Sequence, residues 1–138
     1  MTVKLAYDAT FEPAAPVIAV QVSRPTGGDA VVVPMLVDTG ADCTILPPAI
    51  IHALGLPAVG VVGITGVGGT RIDATTHAAM LDLGPANVIA EVMQVDDEPI
   101  IGRDVLNQLV LELDGPARQL SVRPPAPRKR KPAKRRVR

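Results

Sequence analysis

Short runs of Val, Ile, Leu and Ala recur along this chain, and turns that contain Gly or Pro separate them. Clear examples are residues 15–22 and 30–37, which flank the pair Gly27-Gly28, and residues 87–95. β-Branched side chains favour the pleated surface of a strand, and short strands at this spacing are typical of all-β barrels and sandwiches. Because the chain has one Phe, one Tyr and no Trp, aliphatic side chains must fill the core. The pattern predicts a single all-β domain.

One segment has helical signals instead. Residues 48–56 begin with Pro48 and contain Gly55 near their end, an asymmetry that is typical of a short helix. A second short helix is predicted around Val105, where apolar side chains share one face. The other predicted elements are a strand over 43–47, two strands around a Gly-rich tip over 59–84, a strand end before Gly102 and a hairpin over 109–122.

Charge divides the chain into two parts. Residues 1–123 hold 6 basic and 14 acidic side chains, a net charge of −8, whereas residues 124–138 hold 8 basic side chains and no acidic one. The second part also lacks hydrophobic periodicity, so we predict a folded domain over 1–123 and a disordered basic tail over 124–138. The tail is either a solvated segment without a dedicated partner or a nonspecific contact for polyanions, since it has no aromatic residue to stack on bases.

The residues that bear on compartment and metal binding are few. Cys43 is the only cysteine of the chain, so an intrachain disulfide is excluded. No apolar run approaches the ~20 residues that span a bilayer, and the N-terminal residues lack the apolar segment of a signal peptide. We therefore predict a cytoplasmic protein without a transmembrane segment. His52 and His77 stand apart from other ligand-type residues, so no metal and no cofactor are predicted.

The stretch Asp38-Thr39-Gly40 places a carboxylate, a hydroxyl and a glycine directly after an apolar run. Glycine permits a tight backbone turn, so this loop can hold the carboxylate rigidly at the end of a strand. The alternative is an Asx-turn, in which Asp38 accepts hydrogen bonds from its own backbone. Three common residues often coincide, and this stretch alone does not separate the two interpretations.

Two further segments make the pattern more specific. The stretch LVDTGAD over 36–42 is followed by the Gly-rich GITGVGGT over 63–70 and then by IIGRDVL over 100–106. Together and in this order, the three segments resemble the retropepsin family, the retroviral-type aspartic proteases with bacterial and cellular relatives. The resemblance covers roughly residues 15–122. It implies an all-β, single-lobe acid-protease fold, a closed barrel with one or two short helices that is active as a C2 homodimer.

The resemblance implies a role for each matching residue. Asp38 corresponds to the catalytic aspartate, and Thr39 to the residue whose hydroxyl holds the partner's loop beneath the active site. Gly40 corresponds to the glycine whose backbone lies close to the substrate. Arg103 corresponds to an arginine that forms an ion pair with Asp42, and a solvated surface pair of little energy is the alternative. The implied substrate contacts are Ala41, Asp42, Gly66, Val67 and Gly68.

Several neighbouring features have open interpretations. Residues 63–70 match the family's flap, a hairpin that closes over substrate, and a plain flexible turn is the alternative. A phosphate-binding loop is disfavoured because Gly-Lys-Ser/Thr is absent there. Asp104 receives no functional role and is equally suited to cap the short helix. Cys43 is interpreted as a small buried hydrophobe, and a reactive thiol next to the site is the alternative. An apolar substrate preference is inferred from Val61, Ile64 and Val67.

The chemistry that the resemblance implies requires two carboxylates. In an aspartic-protease dyad they share one proton, so that one accepts a proton from water while the other donates to the scissile carbonyl. The chain has a single Asp-Thr-Gly loop, and Asp114-Gly115 lacks the hydroxyl residue. Two copies must therefore meet about a two-fold axis. The implied function is that of an aspartic endopeptidase that cleaves peptides bound in an extended conformation.

Two other classes of function stay open at this point. A retropepsin fold can serve as a non-catalytic dimerisation or peptide-binding module, and the terminal segments that build the family's dimer interface match least here. The β domain can instead be a scaffold for the basic tail over 124–138, which would bind polyanions in a salt-sensitive way.

Overall fold

The computed structural model describes residues 1–66 and 68–127 of the chain. Within these ranges the chain forms nine strands and two short helices. In chain order they are β1 (Val3–Ala6), β2 (Val17–Ser23), β3 (Ala30–Val37), α1 (Pro48–Leu54), β4 (Ala58–Thr65), β5 (Arg71–Asp82), β6 (Asn87–Met93), β7 (Ile100–Ile101), α2 (Arg103–Leu106), β8 (Val110–Asp114) and β9 (Gln119–Arg123). The predictions for Val67 and for tail residues 128–138 lie outside the described residues.

A barrel of five strands is closed by one bridging residue. β2 pairs antiparallel with β3 and β5, β5 pairs with β6, and β3 pairs in parallel with β7. Ile45 spans the remaining gap, because it pairs with Met93 at the end of β6 and with Ile100 in β7. The predicted all-β closed barrel with two short helices is confirmed. The strand predicted over 43–47 is reduced to this bridge, since Pro47 has no N–H to continue a ladder.

Alternating side chains fill the barrel. Ile18, Val20 and Val22 of β2 are buried, as are Val33 and Met35 of β3. Fully burying a side chain of this kind contributes roughly 1.5–3 kcal/mol, so the two strands are firmly anchored to the core. Asp38, which follows β3, is therefore attached to a strand that is anchored in the core.

The two helices are short. α1 begins with Pro48 and is followed by Gly55, which has left-handed φ and ψ angles of 61° and 44° and donates its N–H to the carbonyl of His52. The predicted helix is confirmed, although it ends at Leu54 and not at residue 56, because the left-handed Gly55 terminates it. Among the described residues, no helix has the length and apolar character needed to cross a membrane.

β1, β9 and β8 form a separate three-stranded sheet. The hairpin predicted over 109–122 is present as β8 and β9. β1 has no local signal that predicts it, because its partner strand lies at the far end of the described chain, with Val3 opposite Val122. Pairing over such a sequence distance depends on the fold as a whole.

The β4–β5 hairpin extends beyond the barrel. Its pairing continues to Thr65 opposite Arg71, whereas β6 pairs with β5 only from Thr76 onward. The part nearer the tip is therefore a two-stranded arm. At the tip, Gly68 and Gly69 have φ angles of 95° and 79°, which glycine adopts without a steric penalty. The two strands predicted around a Gly-rich tip are present.

Candidate active site

Asp38 directly follows β3 and is held through its backbone. Its N–H donates to the carbonyl of Ile101 in β7 at 3.1 Å, and its carbonyl accepts the N–H of Ala41 at 3.2 Å. Its Oδ1 accepts the N–H of Gly40 at 2.9 Å. The residue is half-buried, and the hydrogen bonds of the described residues engage only Oδ1 of its carboxylate. The loop thus fixes a carboxylate and leaves Oδ2 for other contacts.

The bond from Gly40 to Asp38 is the contact of an Asx-turn. The same contact occurs at Asp82, whose Oδ1 accepts the N–H of Gly84, also at 2.9 Å. The local turn is therefore present, and by itself it does not distinguish Asp38 from a structural aspartate. Asp38 differs from Asp82 in the residues around its loop, which are described next.

Arg103 binds the Asp38 loop at three points. Its backbone N–H donates to the carbonyl of Ala41 at 2.9 Å, and its Nη1 donates to the carbonyl of Thr39 at 2.7 Å. Its Nη2 donates to Oδ1 of Asp42, with which it forms an ion pair. The two side chains are 44% and 82% exposed, so the pair contributes little net energy. The three contacts of Arg103 together hold the Asp38 loop in one position.

A second set of hydrogen bonds joins α2 to the chain just beyond the loop. Thr44 is fully buried, and its hydroxyl donates to Oδ1 of Asp104 at 2.8 Å while accepting the N–H of Gly102 at 3.1 Å. The N–H of Thr44 donates to Oδ2 of Asp104 at 3.3 Å. Asp104 also accepts the N–H of Val105 at 3.0 Å, as a residue at a helix start can. Sequence reasoning missed the link to Thr44, for which the only signal was an acidic residue next to Arg103.

Replacing Asp104 with Ala is expected to lower the free energy of unfolding by about 1–3 kcal/mol, because buried donors of Thr44 lose their acceptors. The Asp104→Asn variant keeps one acceptor oxygen and should lose less. Urea denaturation measures both changes. Asp29→Ala, at an exposed position, is the control and should stay within about 0.5 kcal/mol of the wild type. An Ala variant at position 104 as stable as the control would contradict the network.

A cleft of about 540 Å³ opens between the Asp38 loop and β4. Of the residues predicted for the site, the structure brings Gly40, Ala41 and Asp42 into its wall. Asp38 and Thr39 precede these residues in the loop and are not part of the lining, and Gly66 and Gly68 at the hairpin tip do not line it either. The full lining consists of Gly40, Ala41, Asp42, Cys43, Ile45, Val62, Gly63, Ile64, Thr65 and Met93. Among the described residues of this lining, Asp42 on the loop side is the one charged residue, and Val62 and Ile64 on the hairpin side are apolar.

The apolar lining agrees only in part with the sequence prediction, since Ile64 belongs to it, Val61 does not, and Val67 lies outside the described residues. Val61 is 68% exposed and lies outside the cleft, whereas Val62 and Ile64 line it. Successive side chains of a strand point to opposite faces, so Val62 and Ile64 share the cleft face of β4 and Val61 lies on the other. The predicted pair of Val61 and Ile64 does not follow this alternation.

Cys43 is partly exposed in the cleft wall, so its interpretation as a buried hydrophobe is wrong. Its chain position explains this, because the backbone of Cys43 packs against Gly102 and the side chain turns to the cleft. Partial burial raises the pKa of the Cys43 thiol, and the nearby carboxylates of Asp104 and Asp42 raise it further. Both effects disfavour the thiolate.

The raised pKa predicts a slow reaction of Cys43 with alkylating reagents. Because the thiolate is the reactive form, the rate of iodoacetamide labelling near neutral pH should lie below that of free cysteine. The rate should keep rising with pH beyond the point at which free cysteine levels off. Mass spectrometry of labelled protein across a pH series measures this, and labelling as fast as free cysteine at neutral pH would contradict it.

The chain and its fold are similar to known aspartic proteases. A family model described as "gag-polyprotein putative aspartyl protease" matches residues 28–108, more than half of the chain. The fold is similar to that of an EIAV protease complexed with the inhibitor HBY-793, with a TM-score of 0.53 and 23% identity over 67% of this chain and 86% of that chain. It is also similar to a retropepsin-like aspartic protease from Rickettsia conorii, with a TM-score of 0.58 and 17% identity over 88% of this chain and 98% of that chain. No curated protein matches the chain.

Proposed function

Because this chain belongs to the gag-polyprotein aspartyl protease family and has the retropepsin-like fold, we propose that it is an aspartic endopeptidase that works as a homodimer. It hydrolyses peptide bonds with a water molecule that two Asp38 carboxylates activate, one from each protomer. The observation that carries this proposal is the Asp38 loop, a half-buried carboxylate fixed at the end of β3 with Oδ2 left for other contacts.

The need for two copies follows from the chemistry. One carboxylate has to accept a proton from the attacking water while another donates a proton to the scissile carbonyl. Two carboxylates about 3 Å apart share a proton because both cannot ionise easily, and the resulting apparent pKa values belong to the pair. Since the chain has one Asp-Thr-Gly loop, a C2 dimer supplies the second carboxylate.

The surroundings of Asp38 support a peptide substrate in an extended conformation. Asp42 offers a carboxylate to substrate N–H groups on one wall of the cleft, and Val62 and Ile64 offer an apolar surface on the other. In this proposal Thr39 holds the partner's loop, and Gly40 admits the substrate backbone. The remaining contacts come from Ala41 and, when the hairpin closes, from Gly66, Val67 and Gly68.

Two further parts of the proposal concern location and the tail. The lone cysteine supports a cytoplasmic location, in which disulfides are rare. The 8 basic side chains over 124–138 support a nonspecific, salt-sensitive contact with polyanions. Neither part is needed for the cleavage chemistry.

A peptide library tests the proposed activity. The wild-type protein is incubated with the library across acidic to neutral pH, with and without a transition-state-mimic inhibitor of aspartic proteases, and products are identified by mass spectrometry. We expect cleavage between apolar residues that the inhibitor suppresses. The specific activity should also fall on dilution, because monomers lack the second carboxylate. If neither the inhibitor nor dilution lowers the specific activity, the proposal is contradicted.

A further inference from the structure

The negative charge of the folded domain lies in one continuous stretch of the chain. Residues 25–102 contain nine acidic side chains and one basic side chain, Arg71, a net charge of −8. The residues on either side, 1–24 and 103–123, contain equal numbers of acidic and basic side chains. Three of the basic residues outside this stretch, Lys4, Arg118 and Arg123, lie in or beside the three-stranded sheet. The part of the chain that forms the barrel and the hairpin around the cleft therefore carries the whole net charge of the domain.

Two exposed carboxylates lie at the loop side of the cleft. Asp42 lines the cleft, and its side chain is 82% exposed. Asp104 is exposed and binds the N–H and the hydroxyl of Thr44, the residue that follows Cys43 in the cleft wall. Among the ion pairs of the described residues, only that of Arg103 with Asp42 neutralises one of these carboxylates.

A third exposed carboxylate, that of Glu91, reaches the same wall from β6. Glu91 stands two positions before Met93, which lines the cleft, so both side chains lie on the same face of the strand. Its Oε1 accepts the hydroxyl of Thr76 at 2.6 Å. After burial, the carboxylates of Asp104, Asp42 and Glu91 are the causes that raise the pKa of the Cys43 thiol, so all three act on this wall.

Three more exposed carboxylates follow in the connection between β6 and β7, at positions 96–98. The strand residues at the two ends of this connection, Met93 and Ile100, both pair with Ile45 in the cleft wall. The connection therefore adds negative charge next to the cleft. We call the six carboxylates together the acidic rim, which consists of Asp42, Glu91, Asp96, Asp97, Glu98 and Asp104.

The basic tail over 124–138 has the opposite charge, with 8 basic side chains and no acidic one. Its own point of attachment lies close to the cleft along the chain. β9 ends at Arg123, which pairs with Val110, and Val110 follows Arg103 by seven residues. Since an extended residue spans at most about 3.6 Å, Val110 lies within about 25 Å of Arg103, whereas the fifteen residues of the tail span up to about 50 Å. The tail is thus long enough to reach Asp42, the ion-pair partner of Arg103.

We propose that the basic tail over 124–138 occupies the cleft, held by the acidic rim, and acts as a built-in competitive inhibitor of this chain. This proposal rests on the proposed function, because the cleft is the substrate site in that function. Tethering gives the tail an effective concentration in the mM range, so a contact that is weak for a free peptide is sufficient. Salt screens exposed charges, so inhibition should be strongest at low ionic strength. A substrate has to displace the tail, which favours peptides that are themselves basic.

A charge-neutral tail tests the docking without reference to cleavage. In the tail-neutral variant, every Lys and Arg over 128–138 is replaced by Gln in the full chain, and circular dichroism should not change because β9 ends at Arg123. The probe is a fluorescent synthetic peptide of residues 124–138, and its binding is measured by anisotropy near neutral pH at low ionic strength. The tail-neutral variant should bind the probe at least about fivefold more tightly than wild type, whose own tail competes at mM effective concentration. Equal affinities would overturn the proposal.

Variants of the rim locate the contact. In the tail-neutral background, the double change Glu91→Gln and Glu98→Gln should weaken probe binding at least about fivefold, since it removes two carboxylates that can pair with the probe. Gln at position 91 keeps an oxygen for the hydroxyl of Thr76. The matched control is Asp29→Asn with Asp82→Asn, which removes the same charge away from the cleft lining and should change the affinity by no more than about twofold. Equal weakening by the two double variants would show that the probe contacts the acidic domain at no fixed place, and would overturn the proposal.

Cleavage kinetics measure the inhibition. The tail-neutral variant should have a kcat/KM at least about fivefold above that of wild type at low ionic strength, through a lower KM with kcat unchanged, because a competitive inhibitor is removed. The difference should vanish near 1 M salt, where the Debye length is about 3 Å. A change in kcat alone would contradict competition for the cleft.

The outcomes separate this proposal from the proposed function. If both chains cleave peptides equally at every salt concentration and bind the probe equally, the tail does not occupy the cleft and the proposed function stands. If the probe binds with the expected dependence on Glu91 and Glu98 but neither chain cleaves any peptide, docking of the tail is supported and the proposed activity is overturned.

Discussion

Cleavage by an Asp38→Asn variant is expected to fall by at least roughly 10³-fold, because general acid–base catalysis contributes about 10²–10⁴-fold and the change removes it from both protomers. Asparagine has nearly the same shape and keeps a side-chain oxygen for the N–H of Gly40, which Oδ1 of Asp38 binds at 2.9 Å. The fold and the dimer should therefore persist. Peptide hydrolysis, with sedimentation and circular dichroism on the same samples, measures all three properties.

The chain provides a matched control for this substitution. Asp82 makes the same contact to the backbone N–H of Gly84 at the same 2.9 Å, but it lines a separate cavity of about 250 Å³ and not the loop that leads into the cleft. Asp82→Asn should leave the rate of hydrolysis within about twofold of wild type, which is the usual range for a surface change of little energy. If Asp38→Asn cleaves as fast as Asp82→Asn, Asp38 is a structural turn residue.

The second large effect is expected at Gly102, which precedes Arg103. A Cβ atom added there would lie 2.5 Å from the carbonyl carbon of Cys43 and 2.9 Å from its nitrogen. Both atoms are backbone, so no side-chain rotation relieves the collision. The φ angle of Gly102 is −88°, which any residue adopts, so the constraint is one of space. Gly102→Ala should lower the free energy of unfolding by about 3 kcal/mol or more, the upper range for overpacking.

Chemical denaturation followed by circular dichroism checks this prediction. Gly115→Ala is the control, because a Cβ atom there meets nothing within 4 Å. It should stay within about 0.5 kcal/mol of wild type. Gly102→Ala should also displace the Asp38 loop, since Arg103 holds that loop through Thr39 and Ala41. A Gly102→Ala variant as stable as the Gly115→Ala control would contradict this prediction. It would show that the backbone at Gly102 can move away from that of Cys43 with little loss of stability.

The sequence was sufficient for the parts of the structure with local signals. Runs such as 15–22 and 30–37 predict β2 and β3 because β-branched residues and Gly-Gly turns act over a few positions. Pro48 and Gly55 likewise bound α1 nearly as predicted. The position of Asp38 at a strand end follows from the apolar run before it.

The features that sequence reasoning missed depend on contacts between distant segments. β1 exists because β9 pairs with it, and Ile45 closes the barrel because Met93 and Ile100 lie on either side of it. Asp104 was considered only as a helix cap, whereas its carboxylate also binds buried Thr44, sixty positions away. Local patterns carry no information on such pairs, since only the assembled fold brings the partners together.

The most direct test of the central claim, that two protomers share one active site, is a mixing experiment. Wild type and Asp38→Asn are unfolded together, refolded at equal concentrations and assayed for cleavage at fixed total protein. If both Asp38 carboxylates are required, only wild-type homodimers are active, and random pairing leaves about one quarter of the wild-type activity. Activity of about one half, proportional to the fraction of wild-type chains, would contradict the account, because each protomer would then act alone.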